Sequence, residues 1–144
     1  MSKTITSANA VLMISIAGLY TTPQQIQGFA TEDIFDTESI TPSEKFMGLD
    51  GKLSAGYVPV AVKQTYTIQA DSDSVNLFEA WFAAQQAARE VFFANAVIHL
   101  SSIDRSYALT NGVLDGYSPM SDAKKVLQPR KFSIVWESVV GVPV

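Results

Sequence analysis

His99 is the one side chain of this sequence suited to act as a general base at neutral pH, because the chain has a single histidine and no cysteine. Ser101, Ser102 and Asp104 follow it closely and complete the residue types of a serine hydrolase triad. A triad is defined by geometry, however, and Ser101, two residues along a strand, merely shares a face with His99. The chain also lacks a Gly-x-Ser-x-Gly nucleophile elbow. The pattern favours a structural histidine over a catalytic one.

Carboxylates offer a second route to chemistry, and they concentrate in residues 32–50. The segment carries six acidic residues against Lys45 alone, a net charge of −5: Glu32, Asp33, Asp36, Glu38, Glu44 and Asp50. Oxygen ligands suit hard cations, but these lack the twelve-residue spacing of a calcium loop. Clustered acids on a segment that contains Pro42 and a Gly-Leu-Asp-Gly run are typical of a solvated face. We expect an exposed acidic loop or the tip of a long hairpin, without a metal.

Composition excludes further classes of function. Without cysteine there are no disulfides, thiolate zinc sites or cysteine nucleophiles. Neither a Walker pattern nor a Gly-x-Gly-x-x-Gly run is present to cradle phosphates. Ten Lys and Arg against 14 Asp and Glu give a net charge of −4, which argues against tight binding of nucleic acid. The sequence predicts a protein that is not an enzyme and that needs no cofactor.

The first half of the chain reads as strands around the acidic loop. Its 144 residues suit one domain, and 47% of them are hydrophobic, enough for a substantial core. Residues 9–17 predict a strand that is apolar on both faces. The apolar stretch is too short to span a membrane, and it lacks the features of a good signal peptide. Residues 24–31 predict a weaker strand with Gly28 as a candidate bulge. Residues 57–70 alternate between an apolar face and a polar face that includes Lys63, Thr65, Thr67 and Gln69.

One helix and several short strands follow. Residues 72–94 contain no proline or glycine, begin with capping residue types and carry an aromatic stripe at helical spacing. Short strands are predicted at 96–100 and 106–110, a hairpin turn at Asn111-Gly112, and a last strand at 131–137. The order predicts a mainly β, α+β domain over residues 1–144. We expect an antiparallel β-barrel or two packed sheets with one flanking α-helix, and an extended acidic loop at about 32–54.

Charge is segregated along the chain. Residues 105–131 carry five basic residues, Arg105, Lys124, Lys125, Arg130 and Lys131, against two aspartates. A domain with one acidic and one basic segment can dock head to tail on copies of itself. The alternative is that both are ordinary solvated loops. On the docking hypothesis the contact residues are Glu32, Asp33, Asp36, Glu38, Glu44, Asp50, Lys124, Lys125 and Arg130.

Four stretches together resemble the tail tube proteins of contractile-tailed bacteriophages. They are the strand at 57–70, the helix start Ser-Val-Asn-Leu-Phe-Glu-Ala-Trp at 74–81, the run Leu-Thr-Asn-Gly-Val-Leu-Asp-Gly-Tyr-Ser-Pro-Met at 109–120, and Leu-Gln-Pro-Arg-Lys-Phe-Ser-Ile-Val-Trp-Glu at 127–137. The resemblance covers about residues 57–139. Over residues 1–56 only the order of strand, strand and acidic loop agrees.

The resemblance implies a structural virion protein. Six copies would join their sheets into a ring, and stacked rings would form a hollow tube through which DNA passes without specific binding. The loop at 32–54 would reach the neighbouring ring, and Lys63, Thr65, Thr67 and Gln69 could line the lumen. The implied partners are further copies of the chain, the contractile sheath, and tape-measure and baseplate proteins, with no membrane. The implied location is the virion tail, assembled in the host cytoplasm.

Two alternatives to the tube protomer remain open. A baseplate or tube-initiator protein would share the fold and form one ring only. A monomeric β-barrel would instead bind a small ligand in a cavity lined by Trp81, Tyr107, Tyr117 or Trp136.

Overall fold

The computed structural model describes residues 10–29 and 34–143. Nine strands and one helix run in chain order. They are β1 (Ala10–Ile16), β2 (Tyr20–Ile26), β3 (Phe35–Thr37), β4 (Ser43–Met47), β5 (Leu53–Tyr57), β6 (Val62–Ile68), α1 (Val75–Ala88), β7 (Ala94–Leu100), β8 (Arg105–Tyr117) and β9 (Arg130–Pro143). The predicted class, mainly β and antiparallel with one flanking helix, is confirmed.

Seven strands form one antiparallel sheet in the order β2-β1-β7-β8-β9-β6-β3. The two long strands β8 and β9 pair from Arg105 opposite Pro143 to Tyr117 opposite Phe132. Beyond β2, the chain returns to the far side of the sheet, where Phe29 forms an isolated bridge to Ile68 of β6. The sheet is therefore strongly curved around its inner face. Strands β4 and β5 form a separate two-stranded sheet.

The core fills the inner face of the curved sheet and is closed by the helix. Inward side chains of six strands are almost fully buried there, together with Val75, Leu77, Phe78 and Trp81 of α1. The Phe78 ring stacks on Phe132 with a centroid distance of 4.4 Å. The Phe82 ring stacks on Tyr117 of β8 with a centroid distance of 4.2 Å. Aromatic pairs of this kind stabilise a core beyond their buried area.

The helix ends earlier than the absence of proline and glycine suggested. Arg89 adopts the left-handed conformation with φ 54° and terminates α1, so Val91 lies outside it and is exposed. The serines before the helix do not cap it. Instead, the Ser74 hydroxyl accepts a bond from the Gln27 amide at 2.7 Å, and the Ser72 hydroxyl donates to the Gln27 carbonyl at 2.6 Å. They attach the start of the helix to the end of β2.

The hairpin turn predicted at Asn111-Gly112 is wrong, because both residues lie inside β8. Asn111 does have a positive φ of 49°, but it uses this conformation in a β-bulge where two residues of β8 oppose Asn95. Gly112 is required for packing, since a Cβ there would meet Ile134 Cγ2 at 2.7 Å and overlap the Trp136 ring. Asparagine and glycine tolerate a positive φ in a bulge as well as in a turn, so the dipeptide alone does not distinguish the two.

The strand predicted at 57–70 is shorter and begins at Val62. Its inner face is confirmed by the burial of Val62, Tyr66 and Ile68. Val58 and Val60 belong to the apolar face of the predicted strand, but both are exposed because they lie in the connection between the β4–β5 hairpin and β6.

Candidate assembly surfaces

Among the described residues, the hairpin of β4 and β5, residues 43–57, exposes the largest group of apolar side chains, and we call it the arm. Within the part of the chain that the structure describes, the two strands pair only with each other, from Ser43 opposite Tyr57 to Met47 opposite Leu53. Every residue from 36 to 61 is exposed except Ser43, which is half-exposed. Large apolar side chains point into solvent along the arm and its base: Ile40, Phe46, Met47, Leu49, Leu53, Tyr57, Val58 and Val60. An exposed apolar surface of this extent is typical of an interaction site.

The arm is held in shape by its own hydrogen bonds. At its base the Val58 amide donates to the Pro42 carbonyl at 2.9 Å. At its tip the Gly48 amide donates to the Lys52 carbonyl at 2.8 Å, and the Lys52 amide donates to Asp50 Oδ1 at 3.1 Å. The turn also needs Gly51, whose φ is +84°. The arm is thus a formed hairpin, which reduces the entropy lost when it docks.

The acidic loop predicted from the sequence is exposed, but its charge does not lie on the projecting part. The arm carries Glu44 and Asp50 against Lys45 and Lys52 and is neutral overall. The excess negative charge lies at its base, where Asp36 and Glu38 are exposed. Glu32 and Asp33, two of the proposed contact residues, lie outside the described residues. The surface that the arm offers a partner is therefore apolar rather than acidic.

A second exposed surface is the connection from β8 to β9, residues 118–129, which we call the basic loop. Lys124 and Lys125 are both exposed on it, as the docking hypothesis requires. An isolated bridge joins Ala123 to Leu127 and gives the loop a defined turn. The loop also exposes the apolar side chains of Met120, Val126 and Leu127. The positive charge of the loop thus accompanies an exposed apolar surface.

Arg130, the third proposed basic contact, has an internal role instead. Its side chain is 7% exposed and lies 2.8 Å from Glu79 Oε1 of the helix. Its Nε and Nη2 atoms both donate to the Ser118 carbonyl, at 3.1 and 2.6 Å. The guanidinium also lies over the Phe132 ring at 5.1 Å. These contacts use the donors of Arg130 within its own chain and leave it little surface for another copy.

The four residues proposed to line a lumen fall in different environments. Lys63 and Thr65 lie on the outer face of β6, and Lys63 Nζ is 3.4 Å from Asp115 Oδ2 of β8. Thr67 lies on the same face but is 8% exposed, and its amide donates to the Ile34 carbonyl. Gln69 lies beyond the strand and is exposed. Only Lys63 and Thr65 therefore form a shared polar surface.

A buried polar cluster crosses the inner face at β3, β6 and β9. The Trp136 indole donates to the Tyr66 hydroxyl at 3.2 Å, the Tyr66 hydroxyl donates to Gln64 Oε1, and Gln64 Nε2 donates to Thr37 at 2.8 Å. Burial raises the pKa of the Tyr66 phenol above its ordinary range, and the Trp136 bond opposes this only in part. The cluster explains why Gln64 interrupts the apolar row of β6.

Ser101 does not share a strand face with His99 as the sequence predicted, because β7 ends at Leu100. His99 is half-buried on β7 between Val11 and Ser106, whereas Ser101 and Ser102 lie in the 3-10 turn that follows the strand. Among residues 10–29 and 34–143 no group of three His, Cys, Asp or Glu side chains is placed to hold a metal ion. The described helix is not long and apolar enough to cross a membrane.

The alternative of a monomeric ligand-binding barrel requires a cavity lined by aromatic side chains, and the cavity that the structure offers is small. Trp81 and Trp136 are fully buried in the core, and Tyr117 packs on Phe82. Tyr107 borders a cavity of about 300 Å³ with Leu109 and Val139. Of the four aromatic residues proposed for a ligand pocket, Tyr107 thus lines this cavity, while the others pack within the domain.

The fold is that of chains from contractile injection systems. A chain in the cryo-EM structure of the anti-feeding prophage baseplate matches with a TM-score of 0.66 and 11% identity, over 100% of this chain and 99% of that one. A chain in the sheath-tube complex of the extracellular contractile injection system PVC matches with a TM-score of 0.63 and 14% identity, over 92% of this chain and 88% of that one. A chain in the tube-terminating cap of the anti-feeding prophage matches with a TM-score of 0.66 and 11% identity, over 100% of this chain and 94% of that one. The resemblance to tail tube proteins is thus confirmed for the fold.

The family is shown by sequence. Residues 3–140 match the model of the family described as tail fiber protein gp32, and the chain belongs to this family. No curated protein matches the chain.

Proposed function

We propose that this chain is a structural protomer of the tube of a contractile tail, assembling into rings that stack around a lumen. The observation that carries the proposal is the fold shared with chains of baseplate, sheath-tube and cap assemblies over nearly the whole length of both partners. The exposed apolar arm supports it, because such a surface on a 144-residue domain needs a partner in the assembled state.

Lateral joining into a ring is supported by open sheet edges. Among the described residues, β2 pairs only with β1, and residues 137–143 of β9 pair only with β8. Unpaired strand edges are templates for another chain, and joining them side by side removes them. We propose six copies in the ring, in line with the 6-fold symmetry applied to the anti-feeding prophage baseplate.

Stacking of rings is assigned to the arm. Its apolar side chains supply the buried area, and the charged residues at its base and on the basic loop set the register. Exposed ion pairs contribute only about 0–1 kcal/mol each, whereas each large apolar side chain contributes about 1.5–3 kcal/mol when buried. Of the contact residues proposed from the sequence, Asp36, Glu38, Glu44, Asp50, Lys124 and Lys125 are exposed and retain this role.

A lumen that passes DNA must not bind it tightly. Lys63 is the cation on the outer face of β6 that could bind DNA phosphates, and its Nζ lies 3.4 Å from Asp115 Oδ2. Local neutralisation of Lys63, together with a net charge of −4, suits a conduit rather than a binding surface. We propose that Lys63 and Thr65 face the lumen. The further partners are the sheath, tape-measure and baseplate proteins of the virion tail, and the role is not enzymatic.

A second candidate is a component that forms a single ring in the baseplate or the cap. It is favoured by the matches to the baseplate and the cap of the anti-feeding prophage, whose TM-scores of 0.66 both exceed the 0.63 of the sheath-tube complex. Such a protein would carry the same fold and the same lateral edges. It would differ in failing to stack on further copies of itself.

Negative-stain electron microscopy of the purified chain over a concentration series separates these roles. Stacked hollow tubes support the tube protomer. Isolated rings at every concentration support the baseplate or cap component instead. Solid fibres without a lumen would contradict both and would agree with the description of the family as a tail fiber protein. Small particles alone, at every concentration, would also contradict the proposal.

A further inference from the structure

The arm and the basic loop lie at opposite ends of the same pair of strands. The arm leads into β6 at Val62, which is opposite Trp136 of β9, and the basic loop leads into β9 at Arg130, which is opposite Ile68. Seven residues of β6 separate the two ends, a distance of about 20 Å at 3.3 Å per residue. Because the surfaces lie at the two ends of the domain, one copy can present its arm where the next presents its loop.

A groove lies beside the basic loop. It has a volume of about 660 Å³ between the turn that follows β6 and the end of the loop. Its lining consists of Gln69, Ala70, Asp71, Lys125, Val126, Leu127 and Pro129. Val126 and Leu127 are 71% and 62% exposed, so the apolar part of the groove is open to solvent in the single chain. Lys125 and Asp71 both line the groove, so their charges balance, and an apolar segment without net charge, such as the arm, fits it.

We infer that this groove, together with the exposed side chains of the basic loop, is the receptor for the arm of a second copy of the chain. This inference rests on the proposed function and identifies the surface that receives the stacking contact. The tip of the arm offers Phe46, Leu49 and Leu53, which are exposed to a similar degree or more. Burial of both surfaces removes two apolar patches from water in one contact.

Charge agrees with the same pairing. Residues 34–57 carry Asp36, Glu38, Glu44 and Asp50 against two lysines, whereas residues 118–129 carry Lys124 and Lys125 against Asp122. The arm with its base is therefore negative and the loop is positive. Two arms facing each other would juxtapose like charges at their bases, which disfavours a symmetric contact. The contact joins two different surfaces and repeats from copy to copy in one direction.

Cysteine cross-linking tests the pairing directly, because the chain contains no cysteine of its own. The variant Leu49→Cys with Leu127→Cys places one thiol on the tip of the arm and one in the groove, both at exposed positions. Mild oxidation of assembled protein is expected to give a ladder of covalent dimers and higher oligomers on denaturing gels. The matched control, Leu49→Cys with Val97→Cys, uses an exposed site on β7, a strand paired on both sides and away from the groove, and is expected to give no ladder.

A second pair of variants tests the contact without cross-linking, through the protein concentration at which tubes form. Leu127→Asp is expected to raise the protein concentration at which tubes first appear by about tenfold or more, because one large apolar side chain leaves the contact. Val97→Asp, an exposed site on β7, a strand that is paired on both sides, is expected to leave that concentration unchanged. Rings must persist in Leu127→Asp, which distinguishes loss of stacking from loss of folding.

The outcomes separate this inference from the proposed function. Tubes that form normally while the 49–127 pair gives no ladder would overturn the receptor assignment and leave the tube protomer intact. Absence of rings and tubes for the unmodified chain would overturn both. A ladder in the control as strong as in the test pair would also contradict the assignment, since it would indicate random collision.

Discussion

Arg130 and Glu79 form an ion pair that joins the first residue of β9 to the helix, with Arg130 Nη1 at 2.8 Å from Glu79 Oε1. The same guanidinium donates twice to the Ser118 carbonyl, close to the start of the basic loop. One side chain thereby fixes the helix, the end of β8 and the loop relative to each other. The receptor surface proposed for the arm depends on this anchor for its position.

Replacement of Arg130 by methionine is expected to lower the free energy of unfolding by about 2 kcal/mol. The substitution keeps an apolar stem on Phe132 but leaves the Ser118 carbonyl without its charged donor, and hydrogen bonds to charged groups contribute about 1.5–3 kcal/mol. Glu79 is half-exposed and regains water, which limits the loss. Urea denaturation measures the change. Lys131→Met, one residue along and exposed, is the control and should change stability by less than about 0.5 kcal/mol.

Tyr66→Phe is expected to destabilise the fold by about 1–3 kcal/mol at neutral pH, because it leaves Trp136 Nε1 and Gln64 Oε1 buried without a partner. It should also change the response to alkali. The pKa of Tyr66 is raised in the folded state, so the unfolded chain releases this proton first, at its ordinary value of about 10. Stability from this group is complete below about pH 10 and is lost as the pH rises further.

The pH effect is measured by denaturation midpoints between about pH 8 and pH 11 for both proteins. The difference between parent and Tyr66→Phe isolates the contribution of one tyrosine among the five in the chain. The parent should lose stability more steeply above about pH 10. Parallel curves for the two proteins would mean that Tyr66 ionises as easily in the folded state as in the unfolded chain.

Gly112→Ala is expected to lower stability by about 1–3 kcal/mol, since the new methyl group would overlap Trp136 and approach Ile134 at 2.7 Å. Gly56→Ala is the matched control, because a Cβ there meets no atom within 4 Å. Thermal denaturation of the two variants compares crowding in the core with the same change on the open arm. Equal melting temperatures would refute the close approach of β8 to Trp136.

Lys124→Glu with Lys125→Glu is expected to impair tube formation while the monomer stays folded, because both side chains are exposed and the reversal places like charge near Asp50 at the tip of a neighbouring arm. Circular dichroism checks the fold, and electron microscopy with sedimentation measures assembly. At about 1 M salt, where the Debye length is about 3 Å, the defect should be largely relieved.

Arg89→Glu reverses an exposed charge at the end of the helix and serves as the control for the two lysines. It should assemble like the parent. Tubes of normal length and number from the double lysine variant at low salt would exclude these lysines from the contact. Parent tubes are expected to persist at about 1 M salt, because the contact is mainly apolar and is little affected by screening.

Local pattern predicted much of this protein. The apolar run at β1, the inward alternation of Tyr66 and Ile68, and the helical stripe of Phe78 and Trp81 are all found in the core. Each of these signals follows from burial of one face of a regular element, which the sequence records directly as a period of two or of 3.6 residues. The class of the fold therefore follows from the order of such segments.

What the tertiary structure decided concerns pairs of residues distant in sequence. Asn111-Gly112 has the same preference for positive φ in a turn and in a bulge, and only the contact of Gly112 with Trp136 places it inside a long strand. In the sequence Arg130 is one of five basic residues of a segment predicted to be exposed, and only the fold places it beside Glu79, 51 residues away. The exposed apolar arm reads as an acidic loop, because its carboxylates are evident in the sequence whereas its separation from the sheet is not. Composition determines which side chains can be buried, and only the packing of distant segments determines which ones are.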